Sequence, residues 1–135
     1  MRDQDNKTIC RQYIEAVGRG DDSAATALMA DDFTHQLMGT SAFSGTRGRE
    51  GVAELVRMLG TITVSGVAFT ITCMTEEDGV VCVEASGRSE LVAGGSYNNV
   101  YCFVFTLRDG KVAAMREYFD TKYIDEVLAA PAPVS

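Results

Sequence analysis

The chain has no tryptophan, a single histidine, two prolines and no CxxC pair among its four cysteines. Cys10, Cys73, Cys82 and Cys102 are widely spaced and His35 stands apart from most of them, so the ligand spacing of a zinc site is missing and no metal is expected. Positive charge is scarce too. Twelve Lys and Arg against 19 Asp and Glu leave a net charge of −7. Nucleic acids and anionic membrane surfaces both need a basic face, so neither is expected as a partner. No apolar run approaches membrane-spanning length, and the opening MRDQDNKT is not an apolar signal segment. Together with free thiols in apolar strand patterns, these absences predict a cytosolic protein. Internal repeats, linkers and nucleotide-binding motifs are missing as well, and no cofactor is expected.

What is present suits one ordinary domain. A chain of 135 residues, 46% of them hydrophobic, buries roughly two-thirds of its unfolded surface. Ile9, Tyr13, Ala16 and Val17 fall at helical spacing, with Asp5 or Asn6 as the cap, and Gly18-Arg19-Gly20 ends that helix. Asp21-Asp22-Ser23 starts a second, short helix over Ala24–Met29. Phe33–Met38 reads as extended, and a Gly/Ser/Thr-rich loop follows through Gly48. A third helix, Glu50–Leu59, points Val52, Leu55, Val56 and Leu59 inward.

After Gly60 the period changes. Thr61–Met74, Val80–Leu91, Tyr97–Leu107 and Lys111–Asp120 read as four strands joined at Glu76–Gly79, Gly94-Gly95 and Asp109-Gly110. A few helical residues, Lys122–Leu128, come next, and residues 130–135 (APAPVS) form a frayed tail. Helices followed by a strand meander predict a single α+β domain over residues 1–135, with helices covering one face of a curved, mostly antiparallel sheet. Such a cone has a mouth suited to a small apolar ligand.

The hairpin Ser96–Thr121 carries the sharpest chemical signal. Side chains on a strand repeat every two residues, so Glu117 shares a face with Met115 and Phe119. A carboxylate on an apolar face is costly unless it is paired, neutralised or used. The other reading is that this face meets solvent and Glu117 is simply wet.

Gln12-Tyr13-Ile14-Glu15, Gly20-Asp21, Ala30-Asp31-Asp32, Gly48-Arg49 and Arg116-Glu117-Tyr118-Phe119-Asp120 resemble the nuclear transport factor 2-like superfamily. More narrowly, they resemble its ketosteroid isomerase, limonene epoxide hydrolase and SnoaL-type polyketide cyclase branches. The resemblance spans about Lys7 to Leu128 and implies a cone-shaped α+β barrel. In ketosteroid isomerases a helix-1 tyrosine donates to the developing enolate oxygen, and Tyr13 matches it. Their aspartate base falls at Leu37 or Met38, which cannot take a proton. Limonene epoxide hydrolase places its carboxylate base where Glu117 stands, and its Arg-x-Asp pair resembles Arg88-Ser89-Glu90. Anchoring the alignment at Gly79 instead puts Ala85 and Gly87 there. A two-residue Gly94-Gly95 turn sets Glu90 opposite Asn99 and Arg88 opposite Tyr101, and a one-residue slip turns both away. The tyrosine and asparagine that hold that enzyme's water correspond to His35 and Leu37.

The residues so singled out are Glu117 as general base, Arg88 and Glu90 as its assistants, and His35 and Tyr13 as proton-handling groups. Each has a plainer alternative: a rim carboxylate, a cross-strand surface ion pair, a hydrogen-bonded structural histidine, a core tyrosine. Asn99, Tyr101, Phe103, Met115, Phe119, Leu55 and Leu59 are expected to line the ligand pocket. The opposite strand face, Asn98, Val100, Cys102 and Val104, is expected to form a homodimer, as such faces often do in this superfamily. Two functions stay open. One is a cofactor-free enzyme doing acid–base chemistry (isomerase, cyclase or epoxide hydrolase) on a small hydrophobic molecule. The other is a non-catalytic module of the same fold that binds a ligand or a partner.

Overall fold

The computed structural model describes residues 5–128, so the tail expected at 130–135 lies outside the described residues. Helix α1 (Asn6–Gly18) begins where the Asp5 side chain accepts the Thr8 backbone N–H at 2.8 Å, and it buries Ile9, Cys10, Tyr13 and Ile14 on one stripe. Helix α2 (Asp22–Ala27) is capped in the same way by Asp21. Strand β1 (Met29–Leu37) starts earlier than its sequence suggests, because Met29 pairs with Val112 and sheet pairing overrides helical spacing there. Strand β2 (Gly45–Arg47) lies in the stretch expected to be loop, where it adds to the edge of β1. Helix α3 (Arg49–Ile62) runs one turn further than expected, so β3 (Ala68–Glu77) begins later. Strands β4 (Val80–Arg88), β5 (Val100–Arg108) and β6 (Lys111–Phe119) complete the sheet, and α4 (Thr121–Val127) closes it.

The sheet has six strands in the order β2-β1-β6-β5-β4-β3. Every neighbouring pair is antiparallel except β1 and β6, which are parallel. The helices cover one face. That α+β arrangement is the one expected from sequence.

One register differs from expectation, with consequences for two residues. Ala85, not Arg88, stands opposite Tyr101, and the Gly87 N–H donates to the Asn99 carbonyl. The β4–β5 connection is not a two-residue Gly94-Gly95 turn. Glu90 bridges Ser96, and the Leu91 N–H reaches the Gly95 carbonyl, so the loop is centred on Ala93. The displacement is an odd number of positions, which exchanges the two faces of the strand. Val81, Val83, Ala85, Gly87 and Ser89 are therefore buried, and Arg88 and Glu90 are exposed.

Two apolar clusters fill the space under the sheet. The larger joins Tyr13, Val56, Val83, Phe103, Phe105 and Met115 among others, and the smaller gathers Leu37, Phe43, Tyr97 and Ile124 near α4. Helix α1 is held close to the approach to β3, where the Val67 N–H donates to the Gly18 carbonyl at 2.8 Å. A Cβ on Gly18 would lie 2.4 Å from the Val67 carbonyl oxygen, so only glycine fits. Gly18→Ala is expected to destabilise the fold by about 1–3 kcal/mol, measured as a lower midpoint in urea at unchanged slope.

Candidate functional site

Between the two clusters lies a cavity whose walls come from every layer of the fold. Tyr13 enters from α1, Leu55 and Leu59 from α3, and Tyr101 and Phe103 from β5; Met115, Glu117 and Phe119 come from β6 and His35 from β1. The lining is aromatic to an unusual degree. Tyr101 stacks on Phe103 and Phe119 with ring centroids 5.2 and 6.4 Å apart, and Phe69 meets Tyr101 and Phe103 edge-on. Gly87 makes room for these rings, since a Cβ there would come within 3.0–3.2 Å of Val67, Tyr101 and Phe69.

The polar chemistry in this wall is concentrated in one contact. His35 Nε2 lies 3.0 Å from Glu117 Oε1, and the two side chains are only 5% and 16% exposed. An ionised carboxylate only accepts, so the contact requires a proton on Nε2. The other ring nitrogen, Nδ1, is buried and has no hydrogen-bond partner. No lysine or arginine lines the cavity among the described residues, and beside His35 the only ionisable side chains there are Glu117 and the phenols Tyr13, Tyr97 and Tyr101.

Tyr13 is almost wholly buried, packed edge-on against Phe105. Burial first, then the charge of Glu117, pushes its ionisation far above the ordinary phenol range. Burial also raises Tyr97 and Tyr101. All three remain neutral hydroxyls, with those of Tyr97 and Tyr101 hydrogen-bonded to each other.

The residues singled out from sequence therefore divide sharply. Glu117, His35, Tyr13, Tyr101, Phe103, Met115, Phe119, Leu55 and Leu59 all face the cavity. Arg88 and Glu90 do not, because the register turns them to the outer face, where Glu90 accepts from the Ser96 hydroxyl. Asn99 is buried but already engaged: its amide donates to the Tyr97 hydroxyl at 2.8 Å and the Asp120 carbonyl at 3.2 Å, and its oxygen accepts from Val100 and Asp120. It ties β5 to the start of α4 and does not line the cavity. Among the described residues, no cluster of three or more His, Cys, Asp or Glu is placed to hold a metal.

Sequence reasoning missed Phe43, Tyr97 and Arg47. Phe43 and Arg47 sit in the Gly/Ser/Thr-rich stretch, where no periodicity marks a face. Tyr97 belongs to the alternation that continues through Asn99 and Tyr101, and that pattern was the available signal. Arg47 lies beside the cavity wall: its Nη2 donates to the Phe43 carbonyl at 2.8 Å, and its buried Nη1 has no partner. Burial lowers the ionisation of this guanidinium, and the charge of Glu117 opposes that shift.

A family model described as a SnoaL-like domain matches residues 10–115. No curated protein matches the chain by sequence. Solved structures share the fold. A nuclear transport factor 2-like protein of unknown function from Burkholderia pseudomallei superposes with a TM-score of 0.78 at 21% identity, over 93% of this chain and 98% of that one. PrhC from Penicillium brasilianum gives 0.80 at 16% identity, over 90% and 83%. A limonene epoxide hydrolase-like epoxide hydrolase of M. tuberculosis gives 0.70 at 19% identity, over 90% and 86%.

The buried phenols make a testable pH effect. A phenol with its ionisation raised by folding stays neutral in the fold but ionises near pH 10 once unfolded. Stability from this source is thus complete below about pH 10 and is lost as pH rises above it. In an alkaline titration followed at the tyrosinate absorbance, the signal of Tyr13, Tyr97 and Tyr101 is expected to appear together with loss of far-UV circular dichroism. Tyr13→Phe should shrink that delayed fraction.

Proposed function

The chain belongs to the SnoaL-like domain family of the nuclear transport factor 2-like superfamily, and from that premise we propose that it is a cofactor-independent isomerase or cyclase acting on a small, uncharged, largely aromatic or polycyclic ketone. The observation that carries this reading is the His35–Glu117 contact set into an apolar wall that Tyr13 also lines. Glu117 takes a proton from the carbon next to the carbonyl, and the electron pair moves onto the carbonyl oxygen. Tyr13 donates a hydrogen bond to that developing enolate. The proton then returns to another carbon, giving isomerisation, or the carbanion attacks a second carbonyl of the same molecule, whose oxygen takes the proton back from Glu117, giving cyclisation. His35 holds the carboxylate in place by donating from Nε2.

Epoxide opening is the weaker reading. It needs an acid and an arginine beside the base, and the inward positions of β4 are occupied by Val83, Ala85 and Gly87. Charge narrows the substrate further. A cavity whose formal charge is the Glu117 carboxylate, with no lining cation among the described residues, disfavours carboxylates and phosphates.

Two settings accompany the proposal. The outer sheet face presents Val100, 61% exposed, and Tyr118, 43% exposed, beside Cys102 and Val104, which supports a homodimer through that face. The thiols of Cys82 and Cys102 lie 3.6 Å apart and unbonded, which supports a reducing compartment such as the cytosol. No helix among the described residues is long and apolar enough to cross a membrane.

Two measurements test the function. In D2O, the protein is expected to exchange the α-protons of neutral polycyclic ketones, and Glu117→Gln to lower that rate by about 10²–10⁴-fold while ligand still quenches tyrosine fluorescence. If Glu117→Gln changes only affinity and no ketone exchanges, the chain is a binding module. In the same binding assay a neutral ketone should bind at least about tenfold more tightly than its carboxylated analogue, since one unscreened like charge costs more than about 1.4 kcal/mol.

A further inference from the structure

We infer that Arg47 is a positioning residue that reinforces, from the Nδ1 side, the His35 tautomer that directs its Nε2–H at the Glu117 carboxylate. This inference rests on the acid–base reading of the same site. His35 and Arg47 stand directly opposite each other in the β1–β2 ladder, so both side chains project from the same sheet face. Each leaves a buried nitrogen unpartnered: an acceptor or donor on His35 Nδ1, and a donor on Arg47 Nη1. These are the two such side-chain atoms among the described residues.

Arg47 is held in its place from two sides. Its Nη2 is anchored on the Phe43 carbonyl, and its stem lies against Gly51 of α3. A Cβ on Gly51 would sit 3.0 Å from Arg47 Cβ and 3.3 Å from Cγ, so the glycine keeps that slot open. On the far side of the imidazole, Nε2 meets Glu117 at 3.0 Å. Arg47, His35 and Glu117 thus follow one another on three adjacent strands, β2, β1 and β6.

A guanidinium only donates and stays protonated. On the neighbouring strand, an imidazole with a lone pair on Nδ1 is favoured and one with an N–H on Nδ1 is opposed, because the second would add an unpartnered donor to the field of a cation. In a poorly solvated interior this preference acts without a direct bond. The favoured tautomer is the one that directs N–H at Glu117. Arg47 lines no part of the cavity, so it acts through His35 and touches no ligand.

The single histidine of the chain makes the test direct, since its ring nitrogens give unambiguous 15N signals. In the unaltered protein Nε2 is expected to be the protonated nitrogen and Nδ1 the bare one. Arg47→Met keeps the stem against Gly51 but removes charge and donors. It should shift the tautomer ratio toward Nδ1–H by roughly tenfold or more, the effect of one interaction with a charged group. Arg47→Lys should restore most of the original ratio, which a purely packing role would not require. A protonated Nδ1 in the unaltered protein, or an unchanged ratio in Arg47→Met, overturns the inference. If Arg47→Met does not fold, Gly51→Ala displaces the arginine stem without altering any charge. Movement of the Nδ1 signal then supports the inference, and no movement overturns it. No substrate is involved, so an absence of ketone exchange would sink the acid–base reading and leave this measurement standing.

Discussion

An imidazole and a carboxylate 82 residues apart meet because β1 lies parallel to β6 with a break in its register. Met29 pairs with Val112, but Thr34 pairs with Ala114, so the strands shift by three positions within one turn of chain. The irregularity has a counterpart on the other edge of β6, where Ala113 is left between the Leu107–Val112 and Thr106–Ala114 pairs. An odd shift exchanges faces. Without it, the alternation that buries Val112 would carry Glu117 to the outer face, away from His35. With it, Met115, Glu117 and Phe119 turn inward and Glu117 becomes the diagonal neighbour of His35. The site is thus a product of a bulge in the sheet.

That arrangement is hard to explain as a device for stability. Removing a carboxylate and an imidazole from water costs several kcal/mol, and their attraction returns that only when the remaining polar atoms are also satisfied. Here His35 Nδ1 is not. An apolar pair of similar volume would serve a structural role at lower cost. The aromatic lining makes the point sharper: Tyr101, Phe103, Phe119 and Phe69 pack well on one another and ask nothing of an acid beside them. A polar pair kept in such a wall, with neutral hydroxyls lining the cavity around it, fits the acid–base role proposed for it.

Local patterns were legible and long-range ones were not. The α1 stripe, the Asp109-Gly110 hairpin and the face shared by Met115, Glu117 and Phe119 follow from periods of 3.6 and 2 that any short window contains. Glu117 and His35 were each visible as candidates, yet their contact depends on a parallel pairing that no local pattern encodes. The β4 register was ambiguous for a related reason. Gly94 and Gly95 both adopt positive φ, so either can end a turn, and the ladder rather than the glycines decides its centre. That choice removed Arg88 and Glu90 from the cavity wall. Arg47 was hidden because a three-residue edge strand in Gly- and Ser-rich sequence has no periodicity to read.

In the proposed reaction the carboxylate and the phenol come from different layers of the fold. Glu117 and His35 belong to the sheet, and Tyr13 belongs to α1 across the cavity, with its ring clamped against Phe33 and Phe105. A ligand between them meets a carboxylate on one side and a phenol on the other. The proposed enolisation would then separate proton removal at Glu117 from charge accumulation beside Tyr13. Both groups sit on regular elements fixed by core packing, so neither must reorganise when charge moves. On the proposed reading, selection of the molecule would fall to Leu55, Met58 and Leu59 of α3 and Leu128 just after α4, which are only partly buried and offer size and shape but no hydrogen bonds.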